Sequence, residues 1–425
     1  MAFKFWYKYD RTTRSKIFCL ISGIVNFIAI GLTYIIIGII TKPVAYEMNC
    51  SEGFVSFWGA IQLAVLAGIG PTGSALLRRF GMRRLGSVAG FVSFCVLLFL
   101  SVGTRNKWMF VIAVCLQGLC LGTIYTATFV VTAKTFTTRL SQVNAVLLVT
   151  CVVASGLAPL IQKLVDNYGW RGAIAIVAAA HLHVTVASFL LNHRVGKVEL
   201  DPEDIEDDYQ TDLENHYKNI HGFFKKTLKR LHLEVFSNNR QLLALCLSVI
   251  IGGLTITSFW LFFVPYAVDS GISPIDASEI LLASVISCVL IRLFLFLFGD
   301  IDVTLIIKIF AVAQLFELTS FSIFAIGHSF LIFYISSAFH GFAIGILWHG
   351  YVTLATKFVR KTNEIDGAIS WILLAEGVGS ISSAIVGFSV NSYRLGFQIC
   401  CGVQLIAVVL VVYMLILQKR KPNNI

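Results

Sequence analysis

Charged side chains are scarce in this sequence, because Asp, Glu, Lys and Arg together make up only 13% of its 425 residues. Metal-ligand spacing is missing as well, since no CxxC pair and no His/Cys cluster occurs. The chain also lacks a nucleophile elbow, a phosphate-binding glycine loop and paired carboxylates within one apolar run. We therefore predict no catalytic residue, no bound metal and no cofactor. A nucleic-acid partner is excluded too, since the chain contains no soluble basic domain.

Apolar residues fill 57% of the chain and are collected into long runs. A helix needs about 20 apolar residues to cross a bilayer, and twelve runs have roughly this length. They form two groups of six, separated by a polar break. The runs cover residues 17–41, 54–77, 85–102, 109–131, 143–164, 173–191, 242–268, 277–298, 303–326, 330–354, 368–390 and 397–417. This pattern predicts an all-α polytopic membrane protein with twelve transmembrane helices.

The basic residues lie in alternate links between these runs. Basic residues lie before the first run and in the link between the second and third runs. Lys134 and Arg139 lie between the fourth and fifth runs, and three more basic residues lie at 419–421. Short cytoplasmic loops of membrane proteins show such an excess of Lys and Arg. The pattern predicts that both termini and the polar break face the cytoplasm. There the net charge of +10 also attracts anionic membrane lipids.

The polar break divides the chain into three parts. We predict an N-terminal six-helix bundle at residues 1–192, a cytoplasmic loop at 193–240 and a C-terminal six-helix bundle at 241–425. The loop begins with an acidic stretch, ELDPEDIEDDYQTDLE, and continues with a basic, aromatic one. A plain linker and a regulatory segment both fit this composition.

Four arginines crowd the link between the second and third runs, within GPTGSALLRRFGMRR. They are Arg78, Arg79, Arg83 and Arg84. With nearby glycines, this segment resembles the corresponding cytoplasmic link of the major facilitator superfamily, although Arg78 replaces an aspartate. The resemblance implies two six-helix bundles around a central substrate site, with these arginines and Arg139 as a cytoplasmic gate. The alternative is that the arginines only fix the topology.

Other segments resemble the monocarboxylate transporter branch of that superfamily. GLAPLIQKLVDNYGWRGA, residues 156–173, is similar to the family's link between the fifth and sixth spans. TFTTRLSQVNAV, residues 135–146, keeps the family's Asn144, and DGAISWILLAEGVGSISSAIVGF resembles the eleventh span. The resemblance implies transport of small organic anions. For several members of the family it also implies a single-span accessory glycoprotein as partner.

The sequence departs from that family at positions that matter for proton coupling. The Asp-Gly-Gly-Trp-Gly-Trp start of the first span is replaced by SKIFCLI, residues 15–21. Tyr34 is kept, but Gly38 stands where proton-coupled members have a lysine. In the eighth span Cys288 replaces an aspartate that the family places one turn before Arg292. These losses favour facilitative transport over proton-linked transport.

Arg292 is the first residue that we assign to substrate binding. A guanidinium within a span is costly in hydrocarbon unless it faces a water-filled cavity or a partner, and its planar fork matches a carboxylate. A substrate anion would satisfy it, and the alternative is a buried ion pair with Glu317 or Glu376. These two glutamates are also the candidates for proton coupling. Tyr34, Asn144 and Glu376 complete the predicted substrate site.

The features together predict a secondary transporter of monocarboxylates or related organic anions and amino-acid-like solutes. The alternative is a transport-inactive sensor or scaffold derived from a transporter. A requirement for Arg292 in solute flux separates the two. No organelle address is visible, so we expect the plasma membrane.

Overall fold

The computed structural model describes residues 11–104, 106–136, 140–189, 191, 239–298, 302–359, 365–389 and 392–420. Within these ranges the chain is helical, and twelve helices follow one another. They are α1 (Arg11–Glu47), α2 (Glu52–Gly68), α3 (Gly70–Val102), α4 (Lys107–Thr135), α5 (Leu140–Ser155), α6 (Ala158–Phe189), α7 (Arg240–Asp269), α8 (Pro274–Phe298), α9 (Val303–Ile326), α10 (Phe330–Phe358), α11 (Ile365–Ser389) and α12 (Tyr393–Lys419). We call α1–α6 the first half and α7–α12 the second half.

The helices have the length and composition that a membrane requires. Ten are long and apolar enough to cross one, and the bent pair Glu52–Gly68 and Gly70–Leu77 adds an eleventh. The 48-residue apolar stretch Gln142–Phe189 is about twice as long as a span needs, and it contains the fifth predicted span and most of the sixth. The chain is therefore a multi-pass membrane protein, and each of the twelve predicted spans corresponds to a helical part of the structure. Most of the predicted loop 193–240, and the last residues of the chain, lie outside the described residues.

Two spans that the sequence predicted as continuous are broken. The second one breaks at Ile69, where its two segments meet at 48°. The cause is Pro71, which has no N–H to donate and is tolerated only in the first turn of a helix. The fifth one breaks at Gly156–Leu157, just before Pro159 in the first turn of α6.

Glycines turn the chain between successive spans. Gly81 has φ of 75° within α3, and Gly169 has φ of 68° within α6. Glycine adopts this left-handed backbone without the clash that a Cβ atom would cause. Each of these helices is therefore kinked at its glycine. α3 includes the end of the second predicted span and the whole of the third, and α6 includes the end of the fifth and most of the sixth.

Close backbone approach holds the helices together, as expected where lipid supplies no hydrophobic force between them. In the second half, a Cβ atom on Gly341 would lie 2.1 Å from the backbone oxygen of Ser284, and one on Gly379 would lie 2.0 Å from that of Ile250. The two halves meet mainly along α2 with α11, α1 with α7, and α5 with α8. The bundle boundaries proposed from the sequence stay predictions.

The two ends of the molecule are packed differently. We call the end at which α1 ends and α2 begins the Lys42 end, and the opposite one, with the turn at Gly81, the Arg83 end. Most buried apolar residues of both halves form one continuous core. At the Arg83 end a second cluster contains residues of the first half alone, namely Cys19, Leu77, Met82, Ala127, Val130, Val131 and Leu191. Among the described residues, that region shares no apolar core with the second half.

Candidate functional site

Arg292 lies on α8 with its side chain fully buried. Its Nε donates to the backbone oxygen of Gly345 at 3.2 Å, and its Nη2 donates to that of Ile344 at 3.4 Å. Its Cζ atom lies 5.8 Å from the centre of the Trp348 ring. Nη1 has no hydrogen-bond partner among the described residues. Since an unsatisfied donor on a buried charge is costly, an incoming ligand oxygen would be stabilised at Nη1.

The contact between α8 and α10 depends on a glycine at position 345. A Cβ atom there would lie 2.3 Å from Cγ2 of Ile291 and 3.3 Å from Sγ of Cys288. Cys288, at the position expected from the family resemblance to hold an aspartate, is fully buried in this contact. The helix of Arg292 therefore supplies no anion one turn before it.

Neither buried glutamate pairs with Arg292. Glu317 on α9 contacts His340 on α10 instead, with 3.0 Å between Oε2 and Nδ1, and both side chains are fully buried. Glu376 on α11 is 6% exposed, and within the described ranges its carboxylate forms no hydrogen bond or ion pair. The ion-pair alternative for Arg292 is therefore not formed in this conformation.

Aromatic rings connect Arg292 to the first half. The Trp348 ring, next to the guanidinium, stands edge-to-face with the Tyr34 ring of α1, with 5.9 Å between ring centres. Both side chains are nearly buried. The structure thus brings Tyr34 and Arg292, two predicted substrate-binding residues, against the same indole ring.

Glu376 lies where three helices meet. A Cβ atom on the next residue, Gly377, would lie 2.6 Å from Cα of Gly68 on α2. On the other side, a Cβ atom on Gly253 of α7 would lie 2.4 Å from the backbone oxygen of Glu376. The backbone at Glu376 therefore lies where the second half touches the broken second span.

Two side chains of the first half lie near both of these charged residues. Tyr125 on α4 and Cys151 on α5 lie within electrostatic range of both Arg292 and Glu376. Asn144 on α5 is also buried, and its Oδ1 has no partner among the described residues. No described hydrogen bond or ring contact joins Asn144 to Arg292, so its substrate role stays a prediction.

Gly38 leaves no room for the lysine that the family resemblance places there. A Cβ atom at this position would lie 2.5 Å from the backbone oxygen of Trp260, so α1 and α7 meet backbone to backbone. The chain instead has Lys42 one turn later on the same helix face. Lys42 forms an ion pair with Asp269 at the end of α7.

A second polar contact joins the halves at the Lys42 end. The Tyr393 hydroxyl, at the start of α12, donates to Oε2 of Glu52, at the start of α2, at 2.9 Å. Together with Lys42 and Asp269, this bond closes the Lys42 end across the interface.

The Trp-Arg pair of the YGWRG segment braces the first half at this end. Trp170 Nε1 donates to one oxygen of Glu47, and Arg171 Nε donates to the other at 2.8 Å. The Arg171 guanidinium also donates to the backbone oxygens of Ser101 at 3.1 Å and Thr104 at 2.6 Å. These bonds tie the ends of α1 and α3 to α6, and we call them the Arg171 brace.

The arginines of the predicted cytoplasmic gate contact aromatic rings of their own half. Arg79 lies 5.5 Å from the Phe80 ring centre, and Arg83 lies 4.5 Å from that of Phe189. Arg84 is exposed. The Arg78 side chain and Arg139 lie outside the described residues, and none of the described arginines in this link forms an ion pair.

Sequence reasoning missed several residues of the interface. Lys42 is the first residue after the predicted first span, and its spacing of four from Gly38 could have indicated a shifted lysine. Trp348, Trp260 and Tyr125 gave no signal, because their contacts depend on how the helices rotate against one another. In the described part of the chain no group of His, Cys, Asp and Glu could hold a metal ion.

Comparison with known proteins gives matches over much of the chain. The profile of the Major Facilitator Superfamily matches residues 21–312. Monocarboxylate transporter 2 of Mus musculus is 27% identical over 170 residues, which are 39% of this chain and 35% of that protein. Monocarboxylate transporter 13 of Rattus norvegicus is 30% identical over 148 residues, or 35% of this chain and 34% of that protein.

A longer match extends over 264 residues of monocarboxylate transporter 2 of Homo sapiens at 24% identity, covering 60% of this chain and 54% of that protein. The matched segments thus span between about a third and a half of these curated relatives. Among solved structures, the peptide transporter POT in complex with sulfate aligns with a TM-score of 0.71 at 15% identity. That alignment covers 95% of this chain and 94% of the other, and it shows a common fold.

Proposed function

The chain belongs to the major facilitator superfamily, and from this premise we propose that it is a secondary transporter of small monocarboxylates or related organic anions and amino-acid-like solutes. It works by alternating access, with the solute bound between the two halves. The observation that carries the proposal is the buried guanidinium of Arg292, whose Nη1 has no partner among the described residues. A carboxylate bound there would be held by a charge-assisted hydrogen bond.

The Lys42 end is proposed to face outward and the Arg83 end inward. The excess of basic residues at the Arg83 end supports this orientation. The conformation described here is then closed toward the outside by Lys42–Asp269 and Tyr393–Glu52. On the inner side, Arg78, Arg79, Arg83, Arg84 and Arg139 are the proposed gate.

Facilitative transport is proposed over proton-linked transport, because Gly38 and Cys288 replace the coupling lysine and aspartate. Should a proton be carried, Glu376 is better placed than Glu317, since Glu317 already contacts His340. We place the protein in the plasma membrane. A single-span accessory glycoprotein is the proposed partner for surface delivery, and purification of the full chain from its native membrane tests for it.

Uptake into cells that express the full chain tests the transport proposal. Labelled lactate and pyruvate are offered with and without an inward proton gradient, while surface protein is quantified. Arg292→Ala is expected to lower uptake at least tenfold at equal surface level, whereas Arg240→Ala, on an exposed arginine at the start of α7, leaves it unchanged. Uptake that is independent of the gradient supports facilitation.

The competing proposal is a transport-inactive sensor or scaffold. It would be favoured if surface-expressed protein moved no carboxylate and no amino acid, with or without the gradient. Uptake that needs Arg292 would exclude it.

A further inference from the structure

Two buried side chains of opposite charge near the interface of the halves have no charged partner among the described residues. Arg292 keeps Nη1 unbonded, and the carboxylate of Glu376 forms no hydrogen bond or ion pair with a described residue. An isolated charge in a membrane protein is costly unless it faces a water-filled cavity or a partner. Since the two groups do not pair with each other, Nη1 of Arg292 and the carboxylate of Glu376 are each left to bind a ligand or water.

Both charges border the same region of the interface. Tyr125 and Cys151 of the first half lie within electrostatic range of Arg292 and of Glu376 alike. These two residues lie on α4 and α5, and alternating access moves the two halves relative to each other. Their shared neighbours in the first half place both charges along the interface at which a transported solute binds.

Two other charged side chains that could have completed this site already have partners within the described residues. Glu317 contacts His340, and Lys42 pairs with Asp269 at the end of the bundle. Among the buried carboxylates that the structure describes in the second half, Glu376 is thus the one left for a ligand.

A ligand with a single charge satisfies only one of the two groups. A monocarboxylate neutralises Arg292 and leaves Glu376 as a buried anion unless it takes up a proton, whereas an amine does the reverse. A zwitterion neutralises both in one binding event. Resting on the transport function proposed above, we propose that the solute is a small zwitterionic amino acid, whose carboxylate binds Nη1 of Arg292 and whose ammonium group binds Glu376.

The surroundings favour an apolar side chain on this amino acid. Trp348 packs against the Arg292 guanidinium, and Tyr34 packs against Trp348, so this part of the interface is aromatic. Aromatic surface of this kind binds an aliphatic or aromatic group by burial of apolar area.

Matched pairs of solutes test the inference in the full chain. Alanine is compared with lactate, and phenylalanine with 3-phenylpropionate, so that each pair differs in the ammonium group. The parent chain is expected to take up the amino acid of each pair at least tenfold faster. Glu376→Gln should lower the ratio of amino acid to carboxylate uptake about tenfold, equivalent to about 1.4 kcal/mol, at equal surface level. Glu279→Gln, an exposed glutamate of α8, is the matched control and leaves the ratio unchanged.

Ligand protection of the purified protein gives a second readout. An amino acid that binds the folded state raises its resistance to thermal unfolding, and Glu376→Gln should remove most of this protection while the variant without ligand stays folded. A parent chain that moves only the carboxylates, or a Glu376→Gln variant that lowers both members of each pair equally, would overturn the zwitterion inference and leave the transport proposal standing. A surface-expressed parent that moves neither class would overturn both.

Discussion

Replacing Gly38 by alanine is expected to destabilise the conformation that is closed at the Lys42 end. The added methyl carbon would lie 2.5 Å from the backbone oxygen of Trp260, and neither atom can rotate away. Overpacking of this kind costs about 1–3 kcal/mol. The helix itself gains about 0.8–1 kcal/mol from alanine in place of glycine, but this gain applies to every conformation in which α1 is helical. The clash alone therefore shifts the balance of conformations, by about 5- to 150-fold.

Gly402→Ala is the matched control for this prediction. Gly402 lies on α12, and a Cβ atom there would have no other atom within 4 Å. The control therefore receives the same gain in helix propensity without a clash. A difference between the two variants measures the contact of α1 with α7.

Cross-linking measures the closed conformation. Lys42→Cys and Asp269→Cys are introduced together, a protease site is inserted into the 193–240 loop, and a short bis-maleimide then holds the two fragments together only when the Lys42 end is closed. Gly402→Ala should cross-link at the parent rate, and Gly38→Ala at least fivefold more slowly. Equal rates for the two alanine variants would refute the reasoning, because the backbone contact would then not limit closure.

The other predictions concern single contacts. Arg171→Lys should destabilise the purified protein by about 1–3 kcal/mol through the loss of charged hydrogen bonds to backbone oxygens, whereas Arg84→Lys, on an exposed arginine, should leave thermal unfolding unchanged. Glu317→Ala should lower the free energy of unfolding by about 3–5 kcal/mol, because it leaves His340 buried without its acceptor. In a His340→Phe background the same change should lower it clearly less, which a double-mutant cycle measures. Tyr393→Phe removes one hydrogen bond between the halves, worth about 0.5–1.5 kcal/mol, and should slow the same cross-linking reaction about 2- to 10-fold, with an unchanged rate counting against a closing role.

The spans and the superfamily could be predicted because hydropathy and short motifs are local properties of the chain. The all-α fold, the multi-pass membrane assignment and the superfamily resemblance are confirmed. The break at Ile69 was missed, although Gly70 and Pro71 follow it directly, because the apolar character of the run continues through the break. The apolar character of a run indicates that its side chains face lipid or the protein core, and it does not indicate where the helix is broken.

The candidate site was predictable only in part. A buried arginine in a span is readable from sequence, and the structure places Arg292 at full burial. Its acceptors are backbone oxygens of α10, and any residue there offers the same carbonyl group. The contacts of the Trp348 ring with Arg292 and Tyr34 depend on the rotation of three helices, which packing decides.

The Arg171 brace has a consequence for how the two halves separate. Glu47 lies five residues after Lys42 on α1 and is held by α6, while Arg171 also holds the end of α3. α1 therefore cannot peel away from α7 by itself, and breaking the Lys42–Asp269 ion pair has to move all three helices together. Opening is then a single cooperative event. Without this brace, a single helix of the first half could separate at the Lys42 end while the inner side was still open. A carrier open on both sides at once would let solute leak down its gradient, as a channel does.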